Sequence, residues 1–100
     1  NLWEIPLTVM DGTLDGYRKL PIQEGQNVLT NLLRTVEEYN GVFVLLWHNS
    51  YMCQLFTPEW EKCFEDFYRE ISSKNAFVSS ASAIIETWQK ATKRCIALKD

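Results

Sequence analysis

The sequence predicts an α/β fold made of three strand–helix units, and three observations predict it. The run 42–47 is wholly apolar and follows a glycine, which is typical of a strand covered on both faces. Side chains in 2–10 alternate between two faces, as in a strand. Apolar residues recur at intervals of three and four after the strand candidates, which is typical of helices. The expected strands lie near 3–10, 42–48 and 76–79, and the expected helices near 24–39, 58–72 and 81–97.

Length and composition limit the class of protein. One hundred residues with 46% apolar and 23% charged side chains suit one small domain or part of a larger one, so we expect 1–100 to form a single segment. The net charge of −3, without a basic cluster, argues against nucleic-acid binding. No apolar run is long enough for a transmembrane helix, and no secretory signal is present. The chain starts at Asn1 rather than a methionine, so we expect a further segment upstream.

The first strand and helix form the first unit. Pro6 cannot donate a hydrogen bond to a neighbouring strand, so it marks an edge or a bulge. The helix that follows carries one apolar stripe, formed by Val28, Leu29, Leu32, Leu33 and Val36. Asn40 and Gly41 end this helix, and the second strand begins at once. The order strand, helix, strand predicts a βαβ unit.

The second and third helices are predicted by the same periodicity. Thr57 is the expected N-cap of the second helix, and Pro58 is its expected first residue. Its buried stripe should contain Trp60, Cys63, Phe64, Phe67, Tyr68 and Ile71. Ser80 or Ser82 should cap the third helix. The residues that this helix should turn inward are Ile84, Ile85, Trp88, Ala91, Cys95 and Ile96.

The predicted sheet is small and has two open edges. An exposed strand edge can pair with another chain, so self-association through the edges is one expectation. The pattern also suits part of a larger α/β barrel or layered sheet better than a complete fold.

The three cysteines, Cys53, Cys63 and Cys95, lack the paired spacing of a structural zinc site. Cys63 and Cys95 lie on the predicted apolar helix faces, so we expect buried thiols there. Cys53 lies in the loop after His48, the only histidine of the sequence. A Cys–His nucleophilic pair is therefore one interpretation of these two residues.

Polar side chains follow the first two predicted strands at the point where each strand ends. Asp11 follows the first strand, and His48 follows the second. Parallel strands of one βαβ unit place their carboxyl ends at the same edge, where ligands bind in open α/β sheets. A carboxylate beside an imidazole fixes its tautomer and favours the protonated form, which can act as a general acid. The alternative is a structural histidine bonded to backbone, with Asp11 starting a turn.

Two segments carry a resemblance to a known family. The strings Glu4-Ile5-Pro6-Leu7-Thr8-Val9-Met10-Asp11 and Leu45-Leu46-Trp47-His48-Asn49, with the order of elements, resemble the C-terminal part of the polysaccharide deacetylase (NodB homology) domain, carbohydrate esterase family four. In that family, a late apolar strand ends in Leu-x-His. The resemblance covers most of the chain, from Leu2 through the third helix. The two strings are similar to those of bacterial members of the family.

The resemblance implies a distorted (β/α) barrel that removes N- or O-acetyl groups from carbohydrates with a divalent metal such as zinc. It implies that His48 is the general acid, that Leu46 lines the pocket for the acetyl methyl group, and that Asp11 orients His48. The family's metal is held by an aspartate and two histidines in the N-terminal half of the domain. This chain has one histidine, so we expect it to hold no metal alone and to need that N-terminal half as a partner. The competing expectation is a non-catalytic, deacetylase-like domain that binds glycan or serves as a scaffold.

Overall fold

A computed structural model describes residues 2–97. The described part of the chain is mostly helical, with 62% of its residues in helices. In chain order the elements are β1 (Val9–Met10), a π-helical turn (Thr13–Tyr17), α1 (Ile22–Glu38), β2 (Leu45–Leu46), a 3₁₀ turn (Asn49–Tyr51), α2 (Pro58–Ser73) and α3 (Ala81–Ala97). The three predicted helices are therefore confirmed to within about two residues at each end.

The predicted fold class is wrong. The described residues form one parallel sheet of two strands, β1 and β2, instead of three strand–helix units within a barrel. Each strand is two residues long. Pro6, upstream of β1, offers no backbone N–H for a longer ladder. Two such strands cannot close a barrel.

The predicted third strand, 76–79, does not form. Asn75 adopts the left-handed backbone conformation, with a φ of 54°, directly after α2. Phe77 and Val78 beyond it are 62% and 67% exposed. Apolar and β-branched residues favour a strand only where a neighbouring strand is available for pairing, and local sequence does not encode that neighbour.

The βαβ unit itself is present. Val9 lies opposite Leu45 and Met10 opposite Leu46, in parallel register. The side chain of Thr8 extends the pairing, because its Oγ1 accepts a hydrogen bond from the backbone N–H of Val44 at 2.9 Å. The register places the carboxyl ends of both strands at the same edge of the sheet.

α1 and α2 lie side by side and run in the same direction. Close to their N-termini, Gly25 contacts Trp60, and a Cβ added at Gly25 would lie 2.7 Å from Cη2 of the tryptophan. Near their C-termini, Lys74 Nζ lies 2.8 Å from an oxygen of Glu37. The two helices and the strands enclose the core, which consists of Val9, Leu14, Leu29, Leu33, Trp60, Cys63 and Phe67. The stripes predicted for the first two helices thus supply most of the core.

α3 is packed much less than predicted. None of its residues is buried. Its Trp88 meets Trp3 edge-on, with 5.5 Å between ring centroids, yet remains 54% exposed. The predicted burial of Ile96 and Cys95 is wrong, because both are exposed. The molecule is accordingly elongated, with principal extents of 57 × 27 × 21 Å.

Candidate functional site

The candidate site lies at the carboxyl ends of the two strands. Asp11 directly follows β1, and His48 follows β2 after one intervening tryptophan. The parallel register brings both residues to the same edge of the sheet, as predicted. The contact between their side chains is direct, with 2.7 Å between His48 Nδ1 and Asp11 Oδ1. The predicted pairing of these two residues is confirmed.

The Asp11 carboxyl group is fully buried and accepts three hydrogen bonds. Oδ1 accepts from the Gly12 backbone N–H and from Nδ1 of His48, while Oδ2 accepts from the His48 backbone N–H. A buried carboxylate needs such donors, because an unpaired charge in the interior is costly. Asp11 thus holds His48 through both its backbone N–H and its ring Nδ1, although the His48 side chain is 52% exposed.

This arrangement fixes which nitrogen of His48 faces outward. Because Asp11 occupies Nδ1, that nitrogen carries the ring proton that donates to the carboxylate. Nε2 makes no hydrogen bond within the part of the chain that the structure describes. A half-exposed imidazole with a free Nε2 can give or take a proton at a bound substrate.

A second pair of side chains joins the same two loops. The hydroxyl of Tyr51, in the 3₁₀ turn, donates to Asp15 Oδ2 in the π-helical turn at 2.9 Å. This hydrogen bond, followed by burial and the negative charges of Asp15 and Asp11, raises the pKa of Tyr51. The phenol therefore remains a donor across the neutral pH range.

Sequence reasoning did not find this second pair. The signal for this pair in the sequence is the spacing of its residues from the first pair. Asp15 follows Asp11 by one helical turn, and Tyr51 follows His48 by one 3₁₀ turn. The loop 51–56 is packed at one end only. Tyr51 packs, whereas Leu55 and Phe56 are 86% and 83% exposed.

An aromatic cluster lies under the loop that carries His48. The centroid of Trp47 is 6.4 Å from Tyr51, 6.3 Å from Trp60 and 5.5 Å from Phe64. Trp47 Nε1 is buried and makes no hydrogen bond to any residue in the range 2–97. The cluster anchors the residue before His48 to the start of α2 through apolar contact.

Leu46, predicted to line an acetyl pocket, is the last residue of β2 and is 43% exposed. Of the grooves on the described surface, one of about 250 Å³ lies between α1 and α2, and another of about 450 Å³ lies along the outer side of α2. Neither groove is lined by Leu46, Asp11 or His48. Asp11 is fully buried, and the His48 side chain, 52% exposed, lies outside both of these grooves.

The described residues do not fit a metal site. Within 2–97, no three histidine, cysteine or acidic side chains lie close enough together to hold an ion. Cys53 is half-buried, and its thiol makes no hydrogen bond to His48 in this range. Neither a zinc ligand set nor a Cys–His nucleophilic pair is formed by these residues.

Comparison of the chain with protein-family models, with curated proteins and with solved structures finds no match. The described helices include none that is both long and apolar enough to cross a membrane.

Proposed function

We propose that His48, oriented by Asp11, is the general acid in the hydrolysis of N- or O-acetyl groups on a carbohydrate. The supporting observation is the 2.7 Å contact between a half-exposed imidazole and a fully buried carboxyl group at the carboxyl ends of two parallel strands. The segment Leu46-Trp47-His48, which resembles the Leu-x-His segment of polysaccharide deacetylases, supports the reaction class.

One chemical step, a proton transfer, is assigned to the dyad of Asp11 and His48. As the bond between the acetyl carbon and the sugar nitrogen or oxygen breaks, Nε2–H of protonated His48 gives its proton to the departing atom. Asp11 accepts the Nδ1–H throughout, so the ring keeps its orientation and its positive charge is balanced. General acid catalysis of this kind contributes on the order of a hundredfold to ten-thousandfold.

The remaining parts of such a site would come from elsewhere. The described residues offer no metal-ligand set, so the divalent metal and the base that activates water are assigned to the N-terminal half of the domain. Leu46 is assigned to contact the acetyl methyl group, with that same half completing the pocket. Self-association through the sheet edges stays a prediction, and each edge is two residues long.

The test is acetate release from acetylated chito-oligosaccharide by the full-length protein and by its His48→Ala variant. We expect turnover to fall on the order of a hundredfold to ten-thousandfold, while metal affinity stays within about twofold, because His48 is not assigned as a ligand. Added imidazole should partly restore the turnover of His48→Ala, since it replaces the proton donor. Lys90→Ala, on exposed α3, is the control and should leave turnover unchanged. Full activity of His48→Ala would return His48 to a structural role.

The 100-residue chain alone should release no acetate when zinc or cobalt is added, because its described residues offer no metal-ligand set and the base that activates water is assigned to the N-terminal half. Metal-dependent turnover by this chain would refute the division of the site. The second candidate function is a deacetylase-like domain that binds glycan without turnover. In such a domain the contact between His48 and Asp11 would be structural. Binding of the oligosaccharide by the full-length protein, without acetate release at any metal concentration, would establish it.

A further inference from the structure

The two loops of the candidate site are joined by two side-chain contacts in matching order. Asp11 of the first loop binds His48 of the second, and Asp15 binds Tyr51. Asp11 and Asp15 are four residues apart, and His48 and Tyr51 are three apart. The Tyr51 backbone N–H donates to the His48 carbonyl at 3.0 Å, so the phenol and the imidazole belong to one short turn. Tyr51 and His48 are therefore linked both through the chain and through this backbone hydrogen bond.

The sheet alone gives this turn little support. The ladder ends at Met10 and Leu46, so beyond these residues the two loops are held together by side chains. His48 is half exposed, and its ring is not enclosed by the core. A catalytic imidazole must be fixed closely, because misplacement by about 1 Å can cost a hundredfold in rate.

Tyr51 is built into the core on one side and into the loop on the other. Its ring meets Trp60 edge-on, with 6.5 Å between centroids and 89° between planes, and it also packs against Trp47. Its hydroxyl reaches back across the site to Asp15. The residue thus connects the start of α2, the loop after β2 and the turn after β1.

We propose that Asp15 and Tyr51 are positioning residues, whose hydrogen bond holds the His48 turn against the Asp11 turn and so fixes the imidazole for proton transfer. The inference rests on the proposed function, which assigns that transfer to His48. Neither Asp15 nor Tyr51 is assigned a contact with substrate. Hydrogen bonding to Asp15 raises the pKa of Tyr51, so the phenol keeps the proton that it donates to Asp15 at neutral pH.

Three substitutions separate the hydrogen bond from other effects. Tyr51→Phe removes the hydroxyl and keeps the ring that packs on Trp60. Asp15→Asn keeps an oxygen that can accept from the phenol, whereas Asp15→Ala removes it. Tyr68→Phe is the matched control, because Tyr68 is 56% exposed on α2 and its hydroxyl makes no hydrogen bond within the described residues.

In the full-length protein we expect Tyr51→Phe and Asp15→Ala to lower kcat on the order of ten- to a hundredfold, with KM within about twofold. Asp15→Asn should retain most of the activity, and Tyr68→Phe all of it. A merely structural role would instead lower the unfolding midpoint without this rescue by asparagine. If His48→Ala lowers kcat but Tyr51→Phe leaves it equal to that of the unsubstituted protein, the proposal is overturned.

A second readout does not depend on turnover. The proton on His48 Nδ1 can be followed by nitrogen-15 NMR, and its exchange with water reports how firmly the ring is held by Asp11. We expect Tyr51→Phe and Asp15→Ala to speed this exchange at least about tenfold, and Tyr68→Phe to leave it unchanged. If His48→Ala proves fully active but Tyr51→Phe still speeds exchange, the proposed function fails while the positioning role stands. Unchanged exchange in Tyr51→Phe would overturn the positioning role whatever the activity.

Discussion

The packed region 8–73 and the α3 region 74–97 contain the same kind of sequence and reach different structures. Both hold helices with apolar residues at intervals of three and four. In the packed region, Trp60 is 8% exposed; in the α3 region, Trp88 is 54% exposed. The comparison teaches that helical periodicity encodes an apolar face, whereas burial depends on whether another element reaches that face.

The packed region provides such elements. α1 and α2 cover the same two strands, and the lack of a side chain at Gly25 lets the Trp60 ring approach α1 closely. On α3, Trp88 meets Trp3 edge-on, and Trp3 is itself 46% exposed. The candidate site lies in the packed region, where Asp11 is fully buried and Trp47, the residue before His48, packs against Trp60 of the core.

Replacing one tryptophan in each region should give the largest difference between them. We expect Trp60→Ala to lower the free energy of unfolding by about 3–5 kcal/mol, since it removes a buried ring from the centre of the core. Trp88→Ala should change it by less than about 1 kcal/mol, because the ring remains mostly in water. Chemical denaturation followed by circular dichroism measures both. Equal losses in the two variants would mean that α3 packs in solution as firmly as α2.

Local features of the sequence were sufficient for the helices and for the dyad. The Thr57-Pro58 start, the Asn40-Gly41 stop and the apolar stripes depend on neighbouring residues, and each predicted helix formed. Asp11 and His48 could be paired because polar residues after two strands of one βαβ unit must lie at the same edge.

The rest depends on contacts between distant residues. Strand length depends on a partner strand, so 76–79, which finds none, stays exposed with Phe77 and Val78 in water. The burial of Cys95 depended on a partner for α3 that the described residues do not supply. To predict the Asp15–Tyr51 contact, the relative placement of the two loops along the strand direction must be known to within one turn. The spacing of the residues suggests this placement, and packing fixes it.

Adding one methyl group tests how closely α1 and α2 approach. An alanine Cβ at position 25 would lie 2.7 Å from the Trp60 ring, so the ring or the helix must move. We expect Gly25→Ala to destabilise the protein by about 1–3 kcal/mol, although alanine favours helix formation by up to about 1 kcal/mol. Gly16→Ala is the matched control, because no atom lies within 4 Å of the added carbon and the effect should be within about 0.5 kcal/mol. A neutral Gly25→Ala would show that the helices separate easily.

The smallest effect distinguishes a thiol in each region. Cys63 of α2 is 1% exposed, and burial, followed by the charge of Asp66, raises its pKa from about 9 to about 11. Cys95 of α3 is exposed. At pH 8 we therefore expect a disulfide reagent to modify Cys95 readily and Cys63 roughly a hundredfold more slowly than an ordinary thiol, from its lower thiolate fraction alone.

The raised pKa of Cys63 means that the folded protein keeps a proton that the unfolded chain releases between pH 9 and 11. The resulting contribution to stability is complete below about pH 9 and is lost as the pH rises to about 11. The free energy of unfolding of the unsubstituted protein should fall over that interval more steeply than that of Cys63→Ala. The profile of Cys95→Ala should match that of the unsubstituted protein. Identical pH profiles for all three would contradict the burial of Cys63 against α1 and, with it, the contrast between the two regions.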